Sequence, residues 1–273
     1  MNTEQQRHVL ARREIALDAT PEQVWQAIAT STGNAGWLFP ADIDGREGGA
    51  MTIHRQPYGG DAPATITVYE PPYRFAIEED MGMPGLGPWA TEFLISSQAG
   101  GSTVLRVVTG FHDGGEGWEP MVDGAGEGWA GALEILRIYL AHFLGQRAVR
   151  LGATGDTGRP LSDRSALSAQ LLGAMGLTGL QVGDTFHAPE DAPSLAGVVD
   201  SASEHGYLVR SDDPAPGIFE ISTFSMNGET TTVNVDGRIY GTDVDDVARR
   251  EAQRWHAWLT GRFPTMVSDA VVT

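Results

Sequence analysis

Along residues 127–144, EGWAGALEILRIYLAHFL, apolar side chains return at steps of three and four. Trp129, Leu133, Leu136, Leu140 and Phe143 then share one face of a predicted helix. Ala132, Ile135, Ile138 and Tyr139 make its flanks apolar as well, so this helix needs cover on more than one side. The chain before it alternates with period two instead. Residues 12–17, 50–56, 65–69, 74–79, 89–97 and 102–109 read as six antiparallel strands separated by Gly- and Pro-rich turns. After the first strand, Thr20-Pro21-Glu22-Gln23 marks a helix start, with a capping threonine, proline at the first turn and a glutamine to close the capping box. Gly33 and Gly36 are expected to loosen the chain ahead of Trp37, Leu38 and Phe39, a plug over the core or one wall of a pocket. This order predicts an α+β fold, a curved antiparallel sheet closed by a long C-terminal helix. A hollow between the two is the natural place for a ligand.

The second half repeats the order in shorter form. Residues 148–161, with four glycines and one proline, read as a linker. A helix is expected over 162–174, strands over 196–201, 206–210, 218–226 and 230–239, and a closing helix over 243–259. Asn227-Gly228 predicts a type I′ hairpin between the last two strands. The expected division is 1–147, a linker at 148–161, and 162–273 as a smaller, truncated copy of the same design. That copy looks short of strands near its beginning.

Several short motifs occur in a telling order: the Thr20 to Trp25 helix start, Trp37 with Phe39, VYEPPYR over residues 68–74, the strand pair around Gly100-Gly101, and Gly128-Trp129. Over residues 10 to 145 the chain resembles the START-like superfamily of helix-grip proteins, in the branch similar to the C-terminal domain of the activator of Hsp90 ATPase. The resemblance implies a β-α-α-β6-α topology with a cavity under the last helix. It says little about chemistry, because such relatives include ligand carriers, cyclases and stress-response proteins. Candidates for lining the hollow are the aromatic residues Trp25, Trp37, Phe39, Phe75, Trp89 and Trp129, with Leu133. His54 and Arg106 are the candidate polar anchors. Residues 81–88, rich in glycine and proline, read as a loop or lid.

Composition narrows the partners. The formal net charge is -18, lysine is absent, and both halves are acidic, which disfavours nucleic acid and anionic membranes. Without cysteine there is no disulfide, thiolate nucleophile or thiolate-bound metal. The seven histidines form no metal-binding motif, although His112-Asp113 is a conceivable ion site. No GxSxG elbow, phosphate loop or other cofactor motif is present, so no cofactor and no metal are expected. Glu78-Glu79-Asp80 reads as a solvated strand edge. No secretion signal or membrane-length apolar run is found, and a cytoplasmic protein is expected. Three functions fit: binding of a small apolar or aromatic ligand, a cyclase-, aromatase- or hydrolase-type reaction in the same cavity, or interaction with a chaperone. The firmest local inference is the helix cap. Thr20→Ala should lower unfolding free energy by about 1 kcal/mol in urea titrations.

Overall fold

The computed structural model describes residues 9–81, 87–98, 100–111, 118–264, 266 and 270–273. The chain divides into two units: Met1–Arg55 with Gly60–Gly145, and Gln56–Gly59 with Gln146–Thr273.

In the first unit, β1 (Val9–Leu17) leads to α1 (Pro21–Ile28) and α2 (Ser31–Trp37). Then come β2 (Ala41–Ile43), β3 (Ala50–His54), β4 (Asp61–Glu70), β5 (Arg74–Glu79), β6 (Trp89–Ser97), β7 (Thr103–Phe111) and α3 (Glu119–His142). The capping box forms as expected: the Gln23 amide donates to the Thr20 hydroxyl at 3.3 Å, and the Thr20 amide donates to the Gln23 side chain at 2.8 Å. The strands make one antiparallel sheet in the order β1-β7-β6-β5-β4-β3-β2. Chain order thus runs across the sheet while the first and last strands lie side by side. Sequence alternation found six of these strands and missed β2, which has only three residues.

The order β1-α1-α2, six strands and α3 is the topology that the resemblance implies. Two corrections to the residue-level reading concern helices. Residues 31–37 form α2, the second helix of that topology, rather than a loosened segment. Its glycines serve close packing: a Cβ on Gly33 would lie 1.9 Å from the Gln26 carbonyl oxygen, and one on Gly36 would lie 2.4 Å from the Tyr139 ring. Asn34 and Trp37 donate to the Ile28 and Ala27 carbonyls, satisfying acceptors that the end of α1 leaves open. The long helix, expected from residue 127, begins at Glu119 despite Gly124, Gly126 and Gly128. A Cβ on Gly126 would meet Ala11 and Arg13 of β1 within about 3 Å, so a small residue is required where helix crosses strand.

In the second unit, β8 (Ala148–Pro160) is followed by a 3-10 turn and α4 (Arg164–Ala174). Five strands follow: β9 (Thr185–His187), β10 (Ala196–Ala202), β11 (Gly206–Asp213), β12 (Gly217–Phe224) and β13 (Thr230–Tyr240). Then come α5 (Asp245–Arg262) and β14 (Ala270–Val272). The sheet order is β14-β8-β13-β12-β11-β10-β9. The expected linker is therefore a strand of 13 residues held between two others. Its small residues mimic a linker because neighbouring backbone comes close. A Cβ on Gly152 would fall 2.1 Å from the Val235 carbonyl oxygen. The second unit has its opening strand after all. Between its two main helices it has one strand fewer than the first unit, five against six, and β14 restores a seven-stranded sheet. The 226–229 turn joins β12 to β13 as expected but is not type I′, since only Gly228 has positive φ, at 76°. Asn227 organises it through its side chain, which accepts from the amides of Glu229 and Thr230.

The close fit at Gly36 yields a direct test. Gly36→Val should lower the stability of the chain by about 1–3 kcal/mol through overpacking against Tyr139, read as a reduced urea midpoint with unchanged m.

Candidate functional site

In the first unit, pleating sorts residues into a face toward α3 and a face away from it. Leu105, Val107, Phe93, Phe75 and Ile77 face α3 and are buried. Val104, Arg106 and Val108 alternate with them and point outward. Arg106 is exposed and donates to Glu14 on the neighbouring strand at 2.7 and 2.9 Å. His54 also lies outside, alternating with buried Met51 and Ile53. It sits between Asp61 at 2.9 Å and Asp42 at 3.2 Å. Hydrogen bonding to Asp61, opposed by slight desolvation and aided by Asp42, raises its pKa above 6.5. Both expected polar anchors lie on the face away from α3. Alternation alone tells which residues share a face, not which face the helix covers.

The aromatic candidates fare differently. Trp25 packs edge-on against Tyr69 and Phe75 at 5.0 and 6.1 Å, within the core beneath α1. Trp37 is fully buried and lies 6.2 Å from Trp129. Trp129 in turn meets Phe93 edge-on at 5.5 Å, and Leu133 is buried one turn further along α3. Phe39, just past α2, is only partly buried. Trp89 belongs to a separate apolar cluster with Phe111 and Val122, joined by Met81, Trp118 and Ala125. Its ring meets Phe111 edge-on at 4.9 Å, and Phe111 meets Trp118 at 5.5 Å. This cluster marks the end of the concave face covered by the first half of α3.

Polar groups that the sequence reading passed over lie at this same end. Glu79, expected at a solvated edge, is 3% exposed and faces inward beside Trp89, its register partner on β6. Arg55, at the end of β3, donates to its carboxylate. Burial raises the Glu79 carboxyl above its ordinary value of 4.5, although the charge and hydrogen bond of Arg55 pull it down. One residue pair away, the Thr91 and Thr109 hydroxyls lie 2.8 Å apart, and Thr109 also donates to the Ala90 carbonyl at 3.1 Å. With the Thr109 proton engaged there, Thr91 donates to Thr109, and the pair has acceptor lone pairs left to offer. The signal that could have found Glu79 is its phase: at steps of two it shares the face of Phe75 and Ile77, both inward. The expected lid and His112-Asp113 fall on or beside 82–86 and 112–117, outside the described residues. A separate open depression of about 390 Å³ between Ser31 and the β2–β3 hairpin is rimmed by Asp42 and Asp44 and has no aromatic lining.

The second unit holds a denser polar cluster on one face of its sheet. Arg150 grips Asp236 with two hydrogen bonds at 2.7 and 3.1 Å, and Arg238 adds a third at 2.9 Å. Tyr58 donates to Asn234 at 2.8 Å, and Ser222 donates to Glu220 at 2.8 Å. Burial works against the Asp236 charge, but Arg150 and Arg238 outweigh it and hold the carboxyl below its usual range. Burial, with repulsion from Asp236, pushes the Glu220 carboxyl up. The buried Asp236 carboxylate is thus matched by two guanidinium groups. No helix of the described residues is long and apolar enough to cross a membrane.

Residues 18–141 match the family model described as Activator of Hsp90 ATPase homolog 1-like protein, so the resemblance read from the residues holds across most of the first unit. The Aha1 dimer from Colwellia psychrerythraea is 21% identical, with a TM-score of 0.44, over 50% of this chain and 100% of that one. The di-domain ARO/CYC BexL from the BE-7585A biosynthetic pathway is 12% identical, TM-score 0.45, over 94% of this chain and 96% of its own. DynU16, from the dynemicin biosynthetic locus, is 15% identical, TM-score 0.43, over 95% and 97%. No curated protein sequence gives a match.

Glu79 makes stability depend on pH in a calculable direction. A carboxyl whose folded pKa is raised contributes most below its unfolded value of 4.5 and loses that contribution as pH rises through the folded value. Glu79→Gln should therefore gain stability relative to the parent as pH rises from 4.5 upward, measured by urea denaturation across a pH series.

Proposed function

Starting from an activator-of-Hsp90-ATPase-like domain over residues 18–141, we propose that the first unit binds a small aromatic molecule between its concave sheet and α3. The observation that carries this reading is the Arg55–Glu79 pair, set on the concave face at the edge of the Trp89, Phe111 and Trp118 cluster. Only the carboxylate of this pair is buried, Arg55 being 32% exposed, and a buried carboxylate costs desolvation that an apolar residue of similar volume would not, so folding alone gives weak reason to keep one there. An anchor for a ligand gives a better reason. Glu79 and the Thr91–Thr109 pair both accept hydrogen bonds, which favours a ligand carrying a hydroxyl or another donor. The rings around them suit a flat apolar body.

A catalytic use of the same hollow is the second reading. Glu79 is a buried carboxyl in an aromatic setting, and burial shifts its balance toward the protonated form that a general acid needs. In that case the molecule would leave chemically changed, which mass spectrometry of the recovered compound decides.

Calorimetric titration with 2-naphthol and naphthalene tests the binding proposal. 2-Naphthol should bind about tenfold more tightly than naphthalene, the difference expected of one hydrogen bond to a charged acceptor. Trp89→Ala should weaken both compounds, whereas Glu79→Gln should narrow the gap between them. Absence of saturable binding by either compound, or equal affinity for the two, would reject the proposal.

A further inference from the structure

The second unit carries an independent set of buried polar atoms that its fold does not use. Glu251, Trp255 and Trp258 fall at i, i+4 and i+7 on α5, hence along one stripe of that helix. They are 0%, 0% and 8% exposed. One carboxylate oxygen of Glu251, Oε1, accepts from Arg250 at 2.9 Å and from Arg254 at 3.0 Å, and both arginine side chains are half exposed at the rim. The other oxygen, Oε2, and the indole N–H groups of Trp255 and Trp258 have no hydrogen-bonding partner among the described residues. The two indoles pack edge-on at 5.8 Å, and Phe219 of β12 lies 6.4 Å from Trp255.

Such atoms are expensive. Leaving a buried donor or acceptor unpaired costs about 1–3 kcal/mol, and more than nine in ten buried polar groups in native proteins are paired. Here one acceptor and two donors gather on one stripe spanning about 10 Å of helix. An aromatic side chain chosen only to fill the core would need no N–H, and a leucine would fill the place of Glu251. We propose that this stripe is a second binding site, for a small neutral molecule that donates to Glu251 Oε2 and accepts from the two indoles. A neutral occupant fits the charge balance. Two arginines already compensate the one carboxylate from the outside, and an anionic head would face Glu251 at close range. This site involves none of the residues assigned to the hollow of the first unit.

The test uses the full chain labelled with ¹⁵N, in which seven tryptophans give seven indole resonances. Trp255→Phe and Trp258→Phe assign two of them. 4-Hydroxyacetophenone, with a phenol donor at one end and a ketone acceptor at the other, serves as the probe. Titration should move the Trp255 and Trp258 indole signals saturably. Affinity should fall about tenfold in Trp255→Phe and in Glu251→Gln, the loss of one hydrogen bond in each. Trp89→Ala should leave these shifts unchanged. Should Glu251→Gln fail to fold, Trp258→Phe carries the comparison, since it keeps an aromatic ring at a position 8% exposed. The proposal is overturned if the probe leaves both signals unmoved at millimolar concentration. It is equally overturned if every folded variant binds with the parent's affinity, or if slow indole exchange without any probe response shows enclosed water alone.

Discussion

Burial of the apolar side of one long helix, α3, is the constraint on which the first unit rests. Trp129 shows how it is met: its ring is held edge-on by Phe93 from the sheet and faced by Trp37 from α2. The sheet alone does not supply both contacts: it covers one side of α3, and α2 has to come near enough to close another. Gly36 permits that approach, because the Tyr139 ring occupies the space a side chain would need. The conformation of α2 is thus a consequence of covering α3, not of its own weak helix-forming sequence, STGNAGW.

Covering the helix leaves the two ends of the concave face unlike. Near α1 and α2 it is filled by Trp25, Trp37, Phe75 and Trp129 packed against one another. Under the first half of α3 it carries Glu79, Arg55, Thr91 and Thr109 beside a second aromatic cluster. The face toward α3 is therefore apolar at one end and carries a carboxylate, a guanidinium and two hydroxyls at the other.

The second unit solves the same burial problem with different polar details. Its α5 lies over the apolar face carrying Val149, Leu151, Phe219, Val233 and Val235. The opposite face of the sheet carries Arg150, Asp236 and Arg238, joined by hydrogen bonds, and Asn234, which bonds to Tyr58 and Ser222, all four buried. The strict alternation of these two sets along β8 and β13 shows why neither strand reads as a continuous hydrophobic run. It also explains why glycine and threonine in β8 were open to misreading.

The sequence by itself determined the local features whose causes are local. The Thr20 cap, the alternating strands, the stripe of α3 and the order of elements all follow from neighbours within a few residues. Tertiary structure decided everything that depends on which surface meets which. Arg106 and Glu79 each share a strand face with apolar residues, Val104 and Val108 in one case and Phe75 and Ile77 in the other, yet one face lies outside and the other inside. That outcome depends on which side of the pleat the helix takes. Residues 148–160 look like a linker in composition and become a strand only because β13 and β14 flank them. The glycines of α2 look like breakers until the distances to Gln26 and Tyr139 show them as points of contact. Short-range patterning encodes periodicity, while the sign of a face and the need for a small residue are set by atoms distant in the chain, which no local window contains.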